Sequence, residues 1–152
     1  MKPLLALALV VLLSGCVSRR GTTAVYHPSA PLDGQQMPFS EAVRAGDTLY
    51  LAGQIGNLPG QRLLAPGGIG PEARQAMENI RAVLERHGAS LDQVVKCTVF
   101  LADIKDWPAF NEVYVQFFKQ NLPARSALAA SGLALGARVE VECIAYVPVA
   151  GQ

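Results

Sequence analysis

The chain has 152 residues, 51% of them hydrophobic and 16% charged, and its formal net charge is +1 at pH 7. This length suffices for one domain with a substantial core behind an N-terminal signal, and it is too short for two domains. Lys2 carries the only charge of that signal, so the mature chain has 12 basic and 12 acidic residues. Because a nucleic-acid binder shows a basic footprint, we expect no nucleic-acid partner.

Residues 1–15 are predicted to be a lipoprotein signal peptide. Lys2 precedes an unbroken apolar run over residues 4–13, which as a helix would span only about 15 Å and not the roughly 30 Å core of a bilayer. A positive start, a short apolar run and small residues after it are typical of a cleavable secretory signal. Leu13-Ser14-Gly15-Cys16 is similar to a bacterial lipobox, in which the cysteine is acylated and the peptide is cut before it.

Lipidation of Cys16 would anchor the mature protein stably to a membrane, because several acyl chains bind far more tightly than one. We therefore expect a cell-envelope protein, on the periplasmic face of the outer membrane in a Gram-negative cell, where Val17 lacks the aspartate of inner-membrane lipoproteins. The alternative is an ordinary signal peptide that ends in a cysteine. Residues 16–36 are predicted to be the lipidated cysteine and a flexible tether, since they are polar and show no apolar period.

The predicted domain, residues 37–152, begins with a hairpin. Residues 39–44 and 48–52 are short strand candidates around Ala45-Gly46-Asp47. The glycine-rich stretch over residues 53–70 is predicted to be a loop.

Two amphipathic helices follow along the chain. Pro71 is predicted to open the first at its favoured first position, and Gly88 to end it. Its apolar face is formed at helical spacing by Ala73, Ala76, Met77, Ile80, Val83, Leu84 and His87. Residues 106–108 begin the second helix, whose apolar face holds Phe110, Val113, Tyr114 and Phe117.

Three more strands are predicted over residues 94–101, 126–133 and 138–147. The order β-β-α-β-α-β-β indicates an α+β domain with both helices on one face of a mixed sheet. The other face of the sheet then needs a cover, and a partner subunit is the simplest one. The sequence therefore predicts an α+β oligomer.

Cys97 and Cys143 both lie in strand-like runs. We expect them to be small buried hydrophobic side chains, with a disulfide as the alternative in an oxidising envelope. No spacing typical of metal ligands is present, and His27 and His87 are far apart in the sequence, so we expect no metal site and no cofactor. His87 is expected to pack against or cap the first helix.

Five segments, taken in order, resemble landmarks of the YjgF/RidA family, and the resemblance extends over about residues 38–147. They are Leu51-Ala52-Gly53-Gln54-Ile55, Thr98-Val99-Phe100-Leu101-Ala102-Asp103, Asn111-Glu112-Val113-Tyr114, Pro123-Ala124-Arg125-Ser126 and Val139-Glu140-Val141-Glu142-Cys143-Ile144-Ala145. The resemblance implies a chorismate-mutase-like fold that forms a homotrimer with three ligand clefts between subunits. Members with the arginine hydrolyse reactive enamines and imines, such as 2-aminoacrylate, to 2-keto acids and ammonia.

The resemblance assigns catalytic roles to Arg125 and Glu140. A guanidinium matches the planar carboxylate of an imino acid at two points, which lysine cannot do. Glu140 matches the glutamate that orients or activates the attacking water, the role of a general base. The alternatives are a surface ion pair for Arg125 and a solubilising edge-strand charge for Glu140.

Four further positions are predicted to contact the substrate: Gly53, Phe39, Asn111 and Ala127. Gly53 allows a close backbone approach, and Asn111 is expected to position a partner loop or the ligand. The family often has tyrosine at Phe39, serine at Ala52 and cysteine at Ala127. These departures predict a more apolar pocket, with either a shift towards bulkier or more hydrophobic imines or weak catalysis.

Two other functions are open at this point. One is a non-catalytic trimeric module that uses Arg125 to bind small carboxylates. The other is a ribonuclease, which the near-neutral charge and the lack of a basic, aromatic stripe disfavour.

Overall fold

Seven β-strands and two α-helices make up residues 23–148, the part of the chain that the computed structural model describes. The strands are β1 (Val25–Pro28), β2 (Ser40–Ala45), β3 (Thr48–Leu51), β4 (Gln54–Ile55), β5 (Val94–Leu101), β6 (Ala124–Ala129) and β7 (Val139–Tyr146). The helices are α1 (Ile69–Arg86) and α2 (Trp107–Tyr114).

All seven strands join one mixed sheet in the order β1-β2-β3-β7-β5-β6, and β4 also pairs with β7. Only β5 and β6 run parallel among these pairs. A parallel pair needs a crossover, and α2 lies in the segment that supplies it. The register places Arg125 of β6 beside Cys97 of β5, and Glu140 of β7 beside Phe100 of β5.

The hydrophobic core lies between the sheet and both helices. On β7 the side chains alternate, and Val139, Val141, Cys143 and Ala145 are each at most 1% exposed. The helices meet them with fully buried residues such as Met77, Ile80, Leu84 and Phe110. Since burial of one large apolar side chain contributes roughly 1.5–3 kcal/mol, this face holds the helices in place. The predicted fold class, α+β with both helices on one face of a mixed sheet, is confirmed.

Several element bounds differ from the sequence-based expectation. Val25–Pro28, predicted to belong to a flexible tether, forms β1 and pairs with β2. The predicted loop contains β4, and α1 begins at Ile69, so Pro71 stands in its first turn but not at its first position. β6 begins two residues before the predicted start and ends at Ala129. β1 and β4 are short and depend on pairing with distant strands, which local patterns do not report.

Cys97 and Cys143 lie directly opposite each other on β5 and β7 and form a disulfide. The favoured interpretation as two separate buried thiols is therefore wrong, and the alternative is the one found. Both residues are at most 1% exposed. The bond links two neighbouring interior strands of the sheet on its helix-bearing face.

The two histidines also meet in the fold. The rings of His27 and His87 stack with centroids 4.2 Å apart, because β1 lies against the end of α1. His87 Nε2 lies 2.9 Å from a carboxylate oxygen of Glu41. Burial alone raises the pKa of Glu41, but hydrogen bonds from Arg86 and His87 outweigh it and hold that pKa below its ordinary value. His87 thus packs at the end of α1, as expected.

The predicted signal peptide and Cys16 lie outside the described residues. Across residues 23–148, no helix combines the length and the apolar character needed to cross a membrane.

Candidate active site

Arg125 is held rigidly at the edge of the sheet. Its Nη2 donates a hydrogen bond of 2.7 Å to Oδ1 of Asn111 on α2. The guanidinium carbon lies 4.6 Å from the centre of the Tyr114 ring and 5.7 Å from that of Phe110. Asn111 and Tyr114 are three residues apart and therefore share one side of the helix. One face of the guanidinium is thus fixed by stacking, while its other nitrogens stay available for a ligand.

Tyr114 is part of this arrangement, although the sequence placed it only in the apolar face of the helix. It is 3% exposed, and its hydroxyl has no hydrogen-bond partner within residues 23–148. Burial raises the pKa of Tyr114, and the nearby Arg125 lowers it by less. The phenol therefore stays neutral beside the guanidinium. The three-residue spacing between Asn111 and Tyr114 is the sequence signal that could have predicted the contact of Tyr114 with Arg125.

Ala127 lies two residues along β6 from Arg125, beside Val99 of β5, and packs against the core. It is on the same face of the sheet as Arg125, since side chains alternate along a strand. Arg125, Asn111 and Ala127 thus form one group, which lies on the helix-bearing face.

Glu140 lies on the opposite face of the sheet. Its neighbours Val139 and Val141 point into the core, so its own side chain points away from the helices. Burial raises the pKa of Glu140, and repulsion from Glu142 raises it further. A carboxyl group with a raised pKa is a stronger base than an ordinary carboxylate and is suited to accept and return a proton.

Gly53 makes room for Glu140. A Cβ at position 53 would lie 2.8 Å from Cδ of Glu140 and would overlap its carboxyl oxygen, so no other residue fits without moving the glutamate. Gly53 was predicted to allow a close approach of the backbone to the ligand. The approach that the structure shows is to the predicted catalytic carboxylate.

A cavity of about 480 Å³ opens beside Glu140 and Gly53 and is also lined by Phe39. Its remaining wall is largely apolar and includes Leu32, Met37, Ile55 and Leu135. Glu140, Gly53 and Phe39 thus form a second group, on the face away from the helices. None of these four apolar wall residues was predicted from the sequence to contact the substrate.

Part of the predicted tether forms a wall of this cavity. Leu32 and Gln35 exchange two backbone hydrogen bonds of 2.9 and 3.0 Å, which close a turn. Arg62, from the loop across the cavity, donates a 2.5 Å hydrogen bond to Gln35 and lies 3.8 Å from a carboxylate oxygen of Asp33. The ordered domain therefore begins well before residue 37.

Comparison with known proteins shows the family to which this chain belongs. Residues 30–147 match the model of the family described as endoribonuclease L-PSP, the one to which the YjgF/RidA proteins belong. The chain belongs to the YjgF/RidA family. Because the match spans both groups of site residues, the resemblance read from five short segments holds for the whole domain.

Relatives of this YjgF/RidA domain include named enzymes. A human protein named 2-iminobutanoate/2-iminopropanoate deaminase is 43% identical over 117 residues, which cover 77% of this chain and 85% of that protein. The goat (Capra hircus) protein of the same name is 46% identical over 108 residues, 71% of this chain and 79% of that one. The crystal structure of RidA from the Antarctic bacterium Psychrobacter sp. PAMC 21119 has a TM-score of 0.71 and 36% identity, and the match covers 85% of this chain and 100% of that one.

The YjgF/RidA domain as a single chain does not bring its two predicted catalytic residues together. Arg125 faces α2, and Glu140 faces the cavity on the other side of the sheet. Within residues 23–148, no group of three or more His, Cys, Asp or Glu side chains could hold a metal ion. The chemistry available is therefore a rigid guanidinium on one face and a carboxyl group with a raised pKa on the other.

Proposed function

We propose that this protein is an imine deaminase, which hydrolyses 2-imino acids and their enamine tautomers to 2-keto acids and ammonia. The observation that carries the proposal is the pair of prepared groups, Arg125 stacked and hydrogen-bonded, and Glu140 half-buried beside a cavity. The names of the human and goat relatives agree with this chemistry. The guanidinium of Arg125 can bind the planar carboxylate of the substrate, and the carboxylate of Glu140 can take a proton from the attacking water.

The site is completed in a homotrimer, in which Arg125 of one subunit meets Glu140 of the next. Two observations support this assembly. The two residues lie on opposite faces of the sheet within one chain, with β5 between their strands. The face away from the helices also exposes Tyr50, Leu128 and Tyr146 by 47, 44 and 52%, an apolar surface that a neighbouring copy would cover. A ring of three identical subunits repeats one such contact and closes on itself.

The reaction follows from the two groups. Arg125 binds the substrate carboxylate, and Asn111 and Tyr114 keep its guanidinium in one orientation. Glu140 takes a proton from water as the oxygen attacks C2 of the imine, and the imine nitrogen gains a proton. In the resulting carbinolamine the hydroxyl proton passes to the amine nitrogen, and the C–N bond then breaks to release ammonia as the C–O bond becomes the carbonyl of the 2-keto acid. Because burial raises the pKa of Glu140, its conjugate acid is suited to return the proton.

Residues that depart from the family pattern do not interrupt this scheme. Phe39, Ala52 and Ala127 lack the hydroxyl and thiol groups often found at their positions, yet the nucleophile is water and needs neither. Of the three, Phe39 lines the cavity and makes its wall more apolar, whereas Ala127 lies with Arg125 on the helix-bearing face.

The site of action that we propose is the cell envelope, with the domain anchored through acylated Cys16. The lipobox-like segment Leu13-Ser14-Gly15-Cys16 supports an anchor. The disulfide between Cys97 and Cys143 agrees with it, since structural disulfides persist in oxidising compartments and are rare in the cytosol.

The test is the release of 2-keto acids by the purified full chain. Imines are generated in the cuvette by an amino-acid oxidase with catalase present, and keto-acid formation is followed with and without the protein. We expect acceleration by the native chain and its loss in Arg125→Ala and Glu140→Gln. Binding of 2-keto acids without any acceleration would show a carboxylate-binding module in place of an enzyme.

Sedimentation velocity tests the assembly. We expect three times the monomer mass for the native chain, and the same mass for Arg125→Ala. A monomer at micromolar concentration would remove the intersubunit site and the mechanism with it.

A further inference from the structure

The cavity beside Glu140 is larger than the smallest substrates of the proposed reaction need. Its volume is about 480 Å³, within the range of roughly 300–1,000 Å³ found for sites that enclose sizeable organic ligands. The human relative is named for acids of three and four carbons. A site for those alone would leave most of this volume to water.

The chemistry of the wall indicates what fills the remaining volume. Leu32, Met37, Phe39 and Ile55 present apolar side chains to the cavity. Phe39 is 48% exposed, although a phenyl ring in water is unfavourable. Arg62 stands at the rim, but Gln35 and Asp33 already engage its guanidinium. An apolar substrate group fits this wall better than a charged one.

Leu135 has a backbone conformation that packing within the domain does not explain. Its φ of 58° and ψ of 13° lie in the left-handed region, which leucine rarely adopts because its Cβ crowds the backbone. The side chain is 43% exposed in the single chain, so packing within the domain does not offset this strain. Gly136, directly after it, shows that the turn already uses a glycine at positive φ. Strained residues of this kind concentrate at ligand-binding sites.

We propose that this cavity receives the side chain of the substrate, and that Leu135 selects for large apolar ones. The preferred substrates are then 2-imino acids with branched aliphatic, thioether or aromatic side chains. This inference rests on the proposed deaminase function and names its substrate class. The turn closed by Leu32 and Gln35, tied across to Arg62, holds the opposite wall in place before substrate arrives.

The experiment compares two imines that differ only in apolar size, those derived from leucine and from 2-aminobutanoate. Each added methylene in an apolar site is worth about fourfold in transition-state binding, so we expect kcat/KM to favour the leucine-derived imine by about tenfold or more. The corresponding products, 4-methyl-2-oxopentanoate and 2-oxobutanoate, can be compared as inhibitors. The ratio of their inhibition constants measures the same size preference in binding, without turnover.

Two variants at one position identify Leu135 as the selecting residue. Leu135→Gly relieves the left-handed strain, and Leu135→Asn tolerates the same φ while replacing the apolar group with a polar one of similar size. We expect both to fold, with an unchanged or higher Tm, and both to lower the leucine-to-2-aminobutanoate ratio towards one. Leu63→Ala, at an exposed leucine outside the cavity, should leave the ratio unchanged.

The outcomes separate this inference from the function on which it rests. Efficient hydrolysis of small imines with no preference for larger ones would overturn the inference and leave the deaminase standing. If no imine is hydrolysed, the deaminase proposal fails, and equal affinity for the two keto acids would overturn the inference as well. An unaltered ratio in both Leu135 variants would remove Leu135 as the selecting residue.

Discussion

Arg125 and Glu140 lie on opposite faces of one sheet, on strands β6 and β7, with β5 between them. Arg125 is in register with Cys97, whose side chain points towards the helices, and Glu140 is in register with Phe100, which points away from them. Within one chain the sheet itself separates the two groups. In the proposed homotrimer, Arg125 of one subunit and Glu140 of the next would meet beside one imine.

Mixed trimers test this arrangement. Arg125→Ala and Glu140→Gln should each be inactive alone, but a trimer that contains both chains should place a native arginine opposite a native glutamate in about one cleft in three. We expect activity near that fraction of the native value, measured as keto-acid release from doubly tagged trimers. If trimers proven to contain both chains released no keto acid, a site shared between subunits would be contradicted.

Arg125→Lys should retain the charge and lose the two-point geometry. Because a hydrogen bond to a charged group is worth roughly 1.5–3 kcal/mol, kcat/KM should fall at least tenfold and 2-keto acid binding should weaken. Asn111→Ala, which removes the partner of Nη2, should cause a smaller loss of about fivefold through poorer orientation of Arg125. Arg74→Lys, at an exposed arginine bonded to Gln116, is the matched control and should change neither quantity.

Glu140→Gln should lower turnover by about 100-fold or more and leave 2-keto acid binding nearly intact, since only the water step needs a base. The native kcat/KM should rise with pH as Glu140 loses its proton, at a pH above the ordinary carboxyl range because burial raises its pKa. That rise should be absent from the pH profile of the variant. A glutamine variant with native turnover would show that another group activates the water.

The same shift predicts a gain in stability for Glu140→Gln. A pKa raised in the folded state means that stability is highest below the ordinary carboxyl pKa and falls as pH rises through the folded value. At pH 7 the native protein therefore carries a penalty that glutamine removes, so the variant should unfold at a higher temperature. Below about pH 4 both proteins are uncharged at this position and the difference should vanish. Thermal unfolding at the two pH values provides the measurement.

The disulfide should contribute strongly to stability. Cys97 and Cys143 are separated by 46 positions, and closing a loop of this size in the unfolded chain corresponds to about 4 kcal/mol on the chain-entropy model. Reduction during denaturant unfolding should lower the free energy of unfolding accordingly, while the double variant Cys97→Ala/Cys143→Ala should not respond to reductant. Two titratable thiols at these positions in protein isolated from cells would contradict the bond.

Cys16→Ser tests the anchor. The native chain should fractionate with membranes and incorporate labelled fatty acid, and the variant should do neither, because serine has no thiol to acylate. Membrane association that survives without labelling would indicate an uncleaved signal in place of a lipid anchor. The catalytic experiments do not depend on this result.

Local patterns in the sequence determined the fold class and the two helices. The alternation along β7 and the apolar stripes of α1 and α2 depend on residues two to four positions apart, so each element reports its own buried face. The candidate site residues were also predicted from the sequence, because the segments around Arg125 and Glu140 resemble those of the family in residue type and order.

Tertiary structure alone decided how these residues are arranged. Which face Arg125 takes depends on the register of β6 against β5, and that register is set by packing between segments far apart in the chain. The pairing of Cys97 with Cys143, the strands β1 and β4, and the cavity wall formed by Leu32 and Leu135 have the same origin. A short polar strand or a strained turn has no periodic signal of its own. It is held by contacts that exist only once the distant partner is in place.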